Sequence, residues 1–379
     1  MLQSAAPAEM GLDPNRWQGV LDLVAGWCHR HEIPGAGLQV MRGDRTTGPH
    51  LFGHQSAEAN APAIRQDAIF LIASITKPMV GACVLLLAER GLLTLDERVE
   101  EYLPEFGRHS KHAITLRNLL THTSGLPDML PQNRELRVAN APLSAFISAI
   151  CGISPDFAPG RGVQYQSTGF AILGEIIQRV SGKTAPQFLR EEFLTPLGMH
   201  DTALGAPDSW FDGPQPRIQR IAGLALTGEQ SAESTWNWHS RYWRQLGAPW
   251  GGLLTTPGDM AKYAQMWLQR GTVDGRRYLS PATIAAATCN QLEPMKDIPA
   301  EDRRCRPWGL GWRLNWGAHS ANFGDFLSPA AYGHWGATGT ALWIDPARDT
   351  ACLFFTTLPQ EPHGKYLSRL SNAVCGALV

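Results

Sequence analysis

A serine and a lysine three residues apart stand where an apolar run gives way to a helical pattern. The run from Phe70 to Ile72 is short and apolar, as in a buried strand, and a long helical pattern continues beyond Lys77. Positions i and i+3 share one face of a helix, so the Ser74 hydroxyl and the Lys77 amine can approach each other. The first turn of a helix also carries unpaired N–H groups and positive potential, which stabilise an oxyanion. This arrangement favours nucleophilic attack by a serine that a lysine activates.

The same residues also fit a purely structural role. A serine that caps a helix, followed by a solvated lysine, is a common arrangement. Pro78 suits either interpretation, because a proline in the first turn removes an N–H group that has little to bond. The evidence for an enzyme must therefore come from the rest of the chain.

The composition is that of an ordinary globular protein with a sizeable core. The 379 residues suggest two domains, or one large domain with an insertion, and 44% of them are hydrophobic and 18% charged. The 33 basic and 34 acidic residues nearly cancel, and no basic cluster is interleaved with aromatic residues, so we expect no nucleic-acid partner. There is no H-E-x-x-H motif and no paired Cys/His spacing, so we expect neither a metal nor a cofactor.

Targeting and redox signals favour the cytoplasm. Residues 1–11 contain no basic residue and no apolar run, which argues against a secretory signal peptide. No segment approaches the apolar length that crosses a bilayer, so we expect no membrane partner. The seven cysteines are scattered and never form a C-x-x-C pair, as expected for thiols in a reducing compartment.

Hydrophobic periodicity predicts helices near the chain ends and throughout the middle, with strands mainly at the two ends. The predicted helices cover 14–31, 77–90, 115–121, 143–151, 168–181, 257–267 and 366–378. The predicted strands cover 36–41, 49–53, 67–72, 308–316, 340–344 and 350–357.

This order predicts an α/β (α+β) fold with an antiparallel sheet built from N- and C-terminal parts and flanked by helices. A mostly helical domain is inserted in it. We predict a sheet domain of residues 1–85 plus 255–379 and a helical domain of residues 86–254, with the active site in the cleft between them.

Two further short motifs follow the serine–lysine pair along the chain. Tyr165-Gln166-Ser167 precedes the helical pattern of 168–181, and His334-Trp335-Gly336-Ala337 opens the late strands. This order resembles the class C β-lactamase-like family of penicillin-recognising serine enzymes, with its S-x-x-K, Y-x-N and K-T-G or H-x-G motifs. Four longer stretches carry the same resemblance: LRNLLTHTSGLP at 116–127, GFAILGEII at 169–177, GGLLTT at 251–256 and GHWGATG at 333–339. Together they span the chain from about residue 15 to its end.

The resemblance implies a role for each matching position. Ser74 is the expected nucleophile, Lys77 and Tyr165 the base system, and Tyr165 the group that returns the proton to the leaving group. The N–H groups of Ser74 and Ala337 form the expected oxyanion hole. The remaining expected substrate-binding residues are Ser167, His334, Trp335 and Gly336. The implied mechanism is acylation followed by hydrolysis of a covalent acyl-enzyme.

The base must have an altered pKa. Lysine and tyrosine each begin near 10, and a base at neutral pH needs a fall of roughly 2–3 units, or about 3–4 kcal/mol. Family members with K-T-G have a second lysine that supports an anionic tyrosine, whereas His334 stands there in this chain and is expected to be neutral at pH 7. Our hypothesis is that Lys77 and Tyr165 titrate as one coupled pair.

Two departures from the family pattern bear on the substrate. Ser167 replaces the asparagine of Y-x-N, while His334 and Trp335 replace the lysine and threonine of K-T-G. Anionic substrates thereby lose charge-assisted bonds of roughly 1.5–3 kcal/mol each. The H-x-G variant resembles esterases, D-amino-acid peptidases and acyltransferases of this superfamily. We expect a carboxylesterase that acts on small or medium acyl esters, with weak or no β-lactamase activity.

Several alternatives remain open. We expect the substrate to be a small-molecule ester or amide. The alternative activities are those of a β-lactamase, of a D-amino-acid peptidase or amidase, and of an acyltransferase. The alternative that is not an enzyme is a family member that only binds ligands. The absence of G-x-S-x-G argues against an α/β-hydrolase. The tryptophans of 236–250 are expected to form an apolar pocket wall, and His122 is expected to be structural. The sequence does not indicate an oligomeric state.

Overall fold

The computed structural model describes residues 2–226, 230, 236–315, 323–359 and 364–379. Its α-helices are α1 (Pro14–His29), α2 (Thr76–Glu89), α3 (Val99–Tyr102), α4 (Leu116–Leu120), α5 (Asn133–Val138), α6 (Leu143–Cys151), α7 (Thr168–Ser181), α8 (Ala185–Leu189), α9 (Arg241–Leu246), α10 (Pro257–Leu268), α11 (Pro281–Ala287), α12 (Ala300–Cys305) and α13 (Lys365–Ala377). Its strands are β1 (Gln3–Ser4), β2 (Gly35–Arg42), β3 (Arg45–Gly53), β4 (Phe70–Leu71), β5 (Ala203–Leu204), β6 (Leu253–Thr255), β7 (Thr272–Val273), β8 (Arg276–Arg277), β9 (Arg313–Leu314), β10 (Tyr332–Gly336), β11 (Thr340–Asp345) and β12 (Thr350–Thr356).

The main sheet combines the two ends of the chain. Its strand order is β1-β3-β2-β12-β11-β10-β9, and every pair except the parallel β1–β3 pair is antiparallel. The strands β2 and β12, from opposite ends of the sequence, pair along seven residues from Ala36 to Arg42. The predicted α/β fold is therefore confirmed, while the proposed domain boundaries stay a prediction.

Each face of the main sheet is covered by helices. One core contains side chains of α1 and α13, including Trp17, Trp27 and Leu370. The other, larger core lies on the side of α2, α7 and α10. In α2 every residue from Thr76 to Leu87 is buried, so this helix is enclosed on all sides by protein. Lys77 is thus carried into the interior by its own helix.

A second, three-stranded sheet supports the start of α2. Its order is β4-β6-β5, and β4 pairs antiparallel with β6 through Phe70 opposite Thr255 and Leu71 opposite Leu254. The stretch GGLLTT therefore lies beside the apolar run that precedes Ser74. The third sheet is the two-stranded pair β7–β8.

Most of the long predicted elements agree with the structure, and α6 and α7 have the predicted bounds. Two predicted strands are largely wrong. The strand of 67–72 is reduced to β4, and that of 308–316 to β9, because Gly311 has a φ of 85° that breaks the extended chain. Residue 316 lies outside the described residues.

The described residues contain no helix long and apolar enough to span a bilayer. All seven cysteines are free thiols, and four of them are buried. Within the described ranges, no group of three or more His, Cys, Asp or Glu side chains is arranged to hold a metal ion.

Candidate active site

Ser74 lies in a 3₁₀ turn, Ala73–Ile75, that leads directly into α2. The residue before it, Ala73, has a φ of 45°, a left-handed conformation that costs free energy for any residue with a Cβ and is often found at functional sites. Ser74 is not a helix cap, since the N-cap position of α2 is Ile75. The structural interpretation of Ser74 as a capping serine is therefore wrong.

Hydrogen bonds from distant segments fix this turn. The N–H of Ile72 donates to the carbonyl of Leu253 at 3.1 Å, and the N–H of Leu253 donates to the Thr76 hydroxyl at 3.1 Å. From the main sheet, the hydroxyls of Thr338 and Thr340 donate to the carbonyls of Leu71 and Ile72 at 2.6 and 3.0 Å. Both sheets thus hold the segment that carries the serine.

Gly336 allows the main sheet to approach this segment. A Cβ atom at this position would lie 2.2 Å from the Ile72 carbonyl oxygen and 2.4 Å from the Thr340 hydroxyl. Contacts that short are not tolerated, so any side chain would push β10 away from the turn. The glycine of the H-x-G motif is therefore required by packing between strand and nucleophile.

Lys77 reaches Ser74 from the first turn of α2. Its Nζ atom donates to Ser74 Oγ at 3.1 Å and to the Trp250 carbonyl at 2.9 Å, and the residue is fully buried. Burial lowers the pKa of Lys77 to about 7, and the negative charge of Asp128 partly opposes that fall. A substantial fraction of the amine is therefore unprotonated near neutral pH and able to accept a proton.

Tyr165 approaches the same pair from the loop before α7. Lys77 Nζ lies 4.7 Å from the centroid of its ring. Burial raises the pKa of Tyr165 well above its usual value, although a hydrogen bond with Ser74 opposes the rise. The phenol is therefore protonated at neutral pH and acts as a donor.

These environments move the two pKa values in opposite directions. A coupled pair with shared titration requires pKa values that lie close together, whereas burial lowers that of Lys77 and raises that of Tyr165. We therefore revise the hypothesis of one coupled pair. Lys77 is the candidate base, and Tyr165 is the candidate proton donor.

His334 lies on β10 beside Tyr165, with 6.0 Å between the ring centroids, and is fully buried. Burial first, and then the Lys77 charge, lowers the pKa of His334 to about 3, so the ring is neutral as expected. The neighbouring Trp335 extends from the other face of β10, with 5.6 Å between its ring centroid and that of His334, and its predicted role in substrate binding stays a prediction. It packs edge-on against Phe323 at 5.8 Å, in the core that contains α1 and α13.

The other two predicted site residues lie at the edges of this arrangement. Ala337 is exposed and follows β10 directly, next to the glycine that contacts the segment before Ser74. Ser167 occupies the N-cap position of α7, but its side chain makes no capping bond, and the Asp128 carbonyl accepts the N–H groups of Ser167 and Thr168 instead. The roles predicted for both residues stay predictions.

Three residues lie near the site that the sequence analysis did not assign to it: His122, which was expected to be structural, Trp308 and Arg313. His122 packs 4.7 Å from the Tyr165 ring, and Trp308 packs 4.2 Å from His122. Arg313 lies over the Trp308 ring at 5.3 Å, and its charge contributes to lowering the pKa values of His122 and His334. His122 belongs to the stretch LRNLLTHTSGLP at 116–127, and the resemblance of this stretch to the family is the sequence signal that pointed to this residue.

Phe146, Ser167 and Trp250 line a small cleft, and the carbonyl of Trp250 is the group that accepts a hydrogen bond from Lys77 Nζ. Trp250 packs against Phe146 at 5.6 Å and Trp243 at 6.4 Å. Trp250 therefore contributes to a largely apolar wall, as expected, while the other tryptophans of this region pack behind it in the core.

The chain is similar in sequence to a known family. The Beta-lactamase family profile matches residues 18–374. Penicillin-binding protein 4 of Amycolatopsis lactamdurans is 28% identical over 340 residues, which cover 87% of this chain and 81% of the relative.

Two solved structures share the fold. EstCE1, a hydrolase with promiscuous acyltransferase activity, has a TM-score of 0.76 at 18% identity, over 98% of this chain and 100% of that one. A family VIII carboxylesterase has a TM-score of 0.75 at 23% identity, over 97% of this chain and 99% of that one. The profile match extends over nearly the whole chain and includes Ser74 and Lys77, so the protein belongs to the Beta-lactamase family and is a serine hydrolase.

Proposed function

We propose that the protein is a carboxylesterase that forms a covalent acyl-enzyme on Ser74 and acts on small or medium acyl esters, with weak or no β-lactamase activity. The observation that carries this proposal is the contact between a fully buried, partly neutral Lys77 amine and Ser74 Oγ at 3.1 Å. The structural similarity to a family VIII carboxylesterase supports the choice among hydrolases.

In the proposed reaction, the neutral Lys77 amine accepts the Ser74 proton while Oγ attacks the ester carbonyl carbon. The N–H groups of Ser74 and Ala337 are the proposed donors to the resulting oxyanion. When the intermediate collapses, the Tyr165 phenol gives its proton to the departing alkoxide, and the Lys77 ammonium returns a proton to the phenolate. Water then attacks the acyl-enzyme, Lys77 accepts its proton, and Ser74 Oγ takes that proton back when the C–Oγ bond breaks.

The site favours neutral substrates over carboxylates. His334 is a neutral acceptor at the position where a lysine would offer a cation. Esters also need less assistance at the leaving group than amides. An ester without a carboxylate is therefore the substrate class that best fits this site.

The decisive experiment is labelling with a fluorophosphonate probe followed by peptide mapping. We expect the label on Ser74 and its loss in Ser74→Ala, whereas Ser144→Ala, at an exposed serine of α6, keeps the label. Absence of label on the wild-type protein would favour the alternative of a member that only binds ligands. Parallel assays with p-nitrophenyl esters, a chromogenic cephalosporin and D-amino-acid amides then rank the activities, and the esters should be hydrolysed fastest.

Arg313 favours a second candidate, the hydrolysis of a carboxylate-bearing substrate such as a β-lactam or a peptide. It is a partly buried cation whose charge lowers the pKa of His334, although its guanidinium donates to the Cys305 carbonyl at 3.4 Å. If this candidate is right, the cephalosporin is turned over at a rate comparable with the esters, and Arg313→Met abolishes that turnover while retaining ester hydrolysis.

A further inference from the structure

Two buried histidines that the proposed acylation does not use flank the same aromatic ring. The ring centroids of His122 and His334 lie 4.7 and 6.0 Å from that of Tyr165, and 4.2 and 5.9 Å from that of Trp308. Both histidines have no exposed surface. They come from different parts of the chain, one from the turn after α4 and the other from β10.

The hydrogen bonds of His122 establish where its proton lies. Its Nδ1 atom accepts the backbone N–H of Gln166 at 3.0 Å, so Nδ1 carries a lone pair. Burial and the nearby charges of Lys77, His334 and Arg313 lower its pKa, so the ring is neutral. Its single proton is therefore on Nε2, and this N–H donor has no partner among the described residues.

His334 has the opposite arrangement. Its Nδ1 atom lies 2.7 Å from the Trp335 carbonyl, which can only accept, so Nδ1 carries the proton. The ring is neutral, and Nε2 therefore has a lone pair. This acceptor also has no partner in the part of the chain that the structure describes.

His122 Nε2 is thus a donor and His334 Nε2 an acceptor without a partner among the described residues, and both belong to buried rings beside that of Tyr165. Unpaired buried polar atoms are rare because they cost free energy, and two of complementary kind at one place indicate a ligand that both accepts and donates. A neutral hydroxyl has this character, whereas a carboxylate can only accept and would be repelled by the His334 lone pair.

We propose that His122 and His334 together position the water that hydrolyses the acyl-enzyme. This inference rests on the proposed function. The water accepts from His122 Nε2–H, donates one proton to His334 Nε2, and has its second O–H left for the Lys77 amine. As the water oxygen bonds to the acyl carbon, that second proton passes to Lys77, and on collapse the C–Oγ bond breaks and Ser74 Oγ takes the proton back.

The same geometry discriminates water from alcohols. An alcohol has a single O–H, so it cannot both donate to His334 and deliver a proton to Lys77. A site with this pair therefore favours hydrolysis over acyl transfer to an alcohol. Loss of the His122 donor or of the His334 acceptor should slow deacylation by water more than deacylation by an alcohol. Neither group is needed to expel p-nitrophenolate, because this leaving group departs without a proton.

The test uses His122→Asn and His334→Phe. In the first variant, the amide oxygen can accept the Gln166 N–H, but the Nε2 donor is lost, and in the second, the acceptor is lost. With a p-nitrophenyl ester, the burst of p-nitrophenol reports acylation, the steady-state rate reports deacylation, and the acid-to-methyl-ester ratio in added methanol reports the partition. We expect the burst rate of His122→Asn to remain within about twofold. In both variants, deacylation by water should fall about tenfold or more, and the share of methyl ester should rise several-fold.

His334→Gln is the conservative variant, since its amide oxygen can replace the Nε2 acceptor, and it should restore most of the wild-type partition. The control is His50→Phe, which alters a half-buried histidine on β3 that packs against Trp17 and should leave the partition unchanged. An unchanged partition in folded His122→Asn or in folded His334→Phe overturns the inference, and so does a His334→Gln variant whose share of methyl ester rises as far as that of His334→Phe. Absence of both burst and label in the wild type instead overturns the proposed function.

Discussion

The substitution Lys77→Met should stabilise the protein in a way that depends on pH. Lys77 is fully buried without a carboxylate in hydrogen-bonding contact among the described residues, and burial lowers its pKa from 10.5 to about 7. A shift of that size corresponds to about 5 kcal/mol of free energy by which burial disfavours the charged amine. Methionine is of similar length and has no charge to desolvate.

The sign follows from proton counts in the folded and unfolded states. Between pH 7 and 10.5 the unfolded chain holds a proton on Lys77 that the folded protein has released. The wild-type protein therefore gains stability as the pH rises through this window, by up to about 1.4 kcal/mol per pH unit. The methionine variant lacks this gain, so its advantage is largest below pH 7 and falls by about 4–5 kcal/mol on approaching pH 10.5.

Chemical denaturation of both proteins at several pH values from 6 to 10 measures this difference in unfolding free energy. Lys296→Met removes a lysine whose side chain is 72% exposed and is the matched control. If the difference for Lys77→Met does not change with pH, or changes no more than that of the control, the lysine is not held in the buried state from which its role as base was inferred.

Four further outcomes test the site. The rate of Ser74 labelling by the fluorophosphonate should rise with pH around a midpoint near 7, where Lys77 loses its proton, and a midpoint near 10 would contradict this. Asp128→Asn should move the midpoint to lower pH, because the carboxylate raises the pKa of Lys77, and an unmoved midpoint would exclude that interaction. Tyr165→Phe should reduce ester turnover and keep the midpoint, and loss of the midpoint would restore tyrosine to the base role. Gly336→Ala should lower the free energy of unfolding by roughly 1–3 kcal/mol and should also lower the rate of Ser74 labelling. A variant in which neither quantity changes would refute the packing argument.

The serine–lysine pair could be predicted from the sequence because its geometry is local. A spacing of three residues at a helix start determines the approach of Ser74 and Lys77 whatever the rest of the chain does. The positions of Tyr165 and His334 were available only through motif order. Their distances of 4.7 Å from Lys77 Nζ to the Tyr165 ring and of 6.0 Å between the Tyr165 and His334 rings depend on how the sheet and helices pack.

The properties that give the site its chemistry were not accessible in the same way. The low pKa of Lys77 arises from burial, and one of its two hydrogen-bond acceptors, the Trp250 carbonyl, is 173 residues away. The prediction of a strand at 308–316 was largely wrong because the alternating apolar residues of this segment are buried while they lie mainly in a loop. Cβ atoms at Gly309 and Gly311 would lie 2.0 Å from the Ala287 carbonyl oxygen and 3.7 Å from the Gly81 backbone, so this loop passes close to other backbone.

The protonation of His334 links the substrate class to the fate of the acyl-enzyme. A lysine at this position would offer a cation to a substrate carboxylate, but a histidine whose Nδ1–H is already bonded to the Trp335 carbonyl offers only a lone pair. That lone pair is unfavourable for an anion and favourable for a hydroxyl. On the proposed mechanism, this hydrogen bond between neighbouring residues of β10 both disfavours anionic substrates and favours water as the acyl acceptor. We therefore expect selectivity for neutral esters and preference for hydrolysis to be gained or lost together.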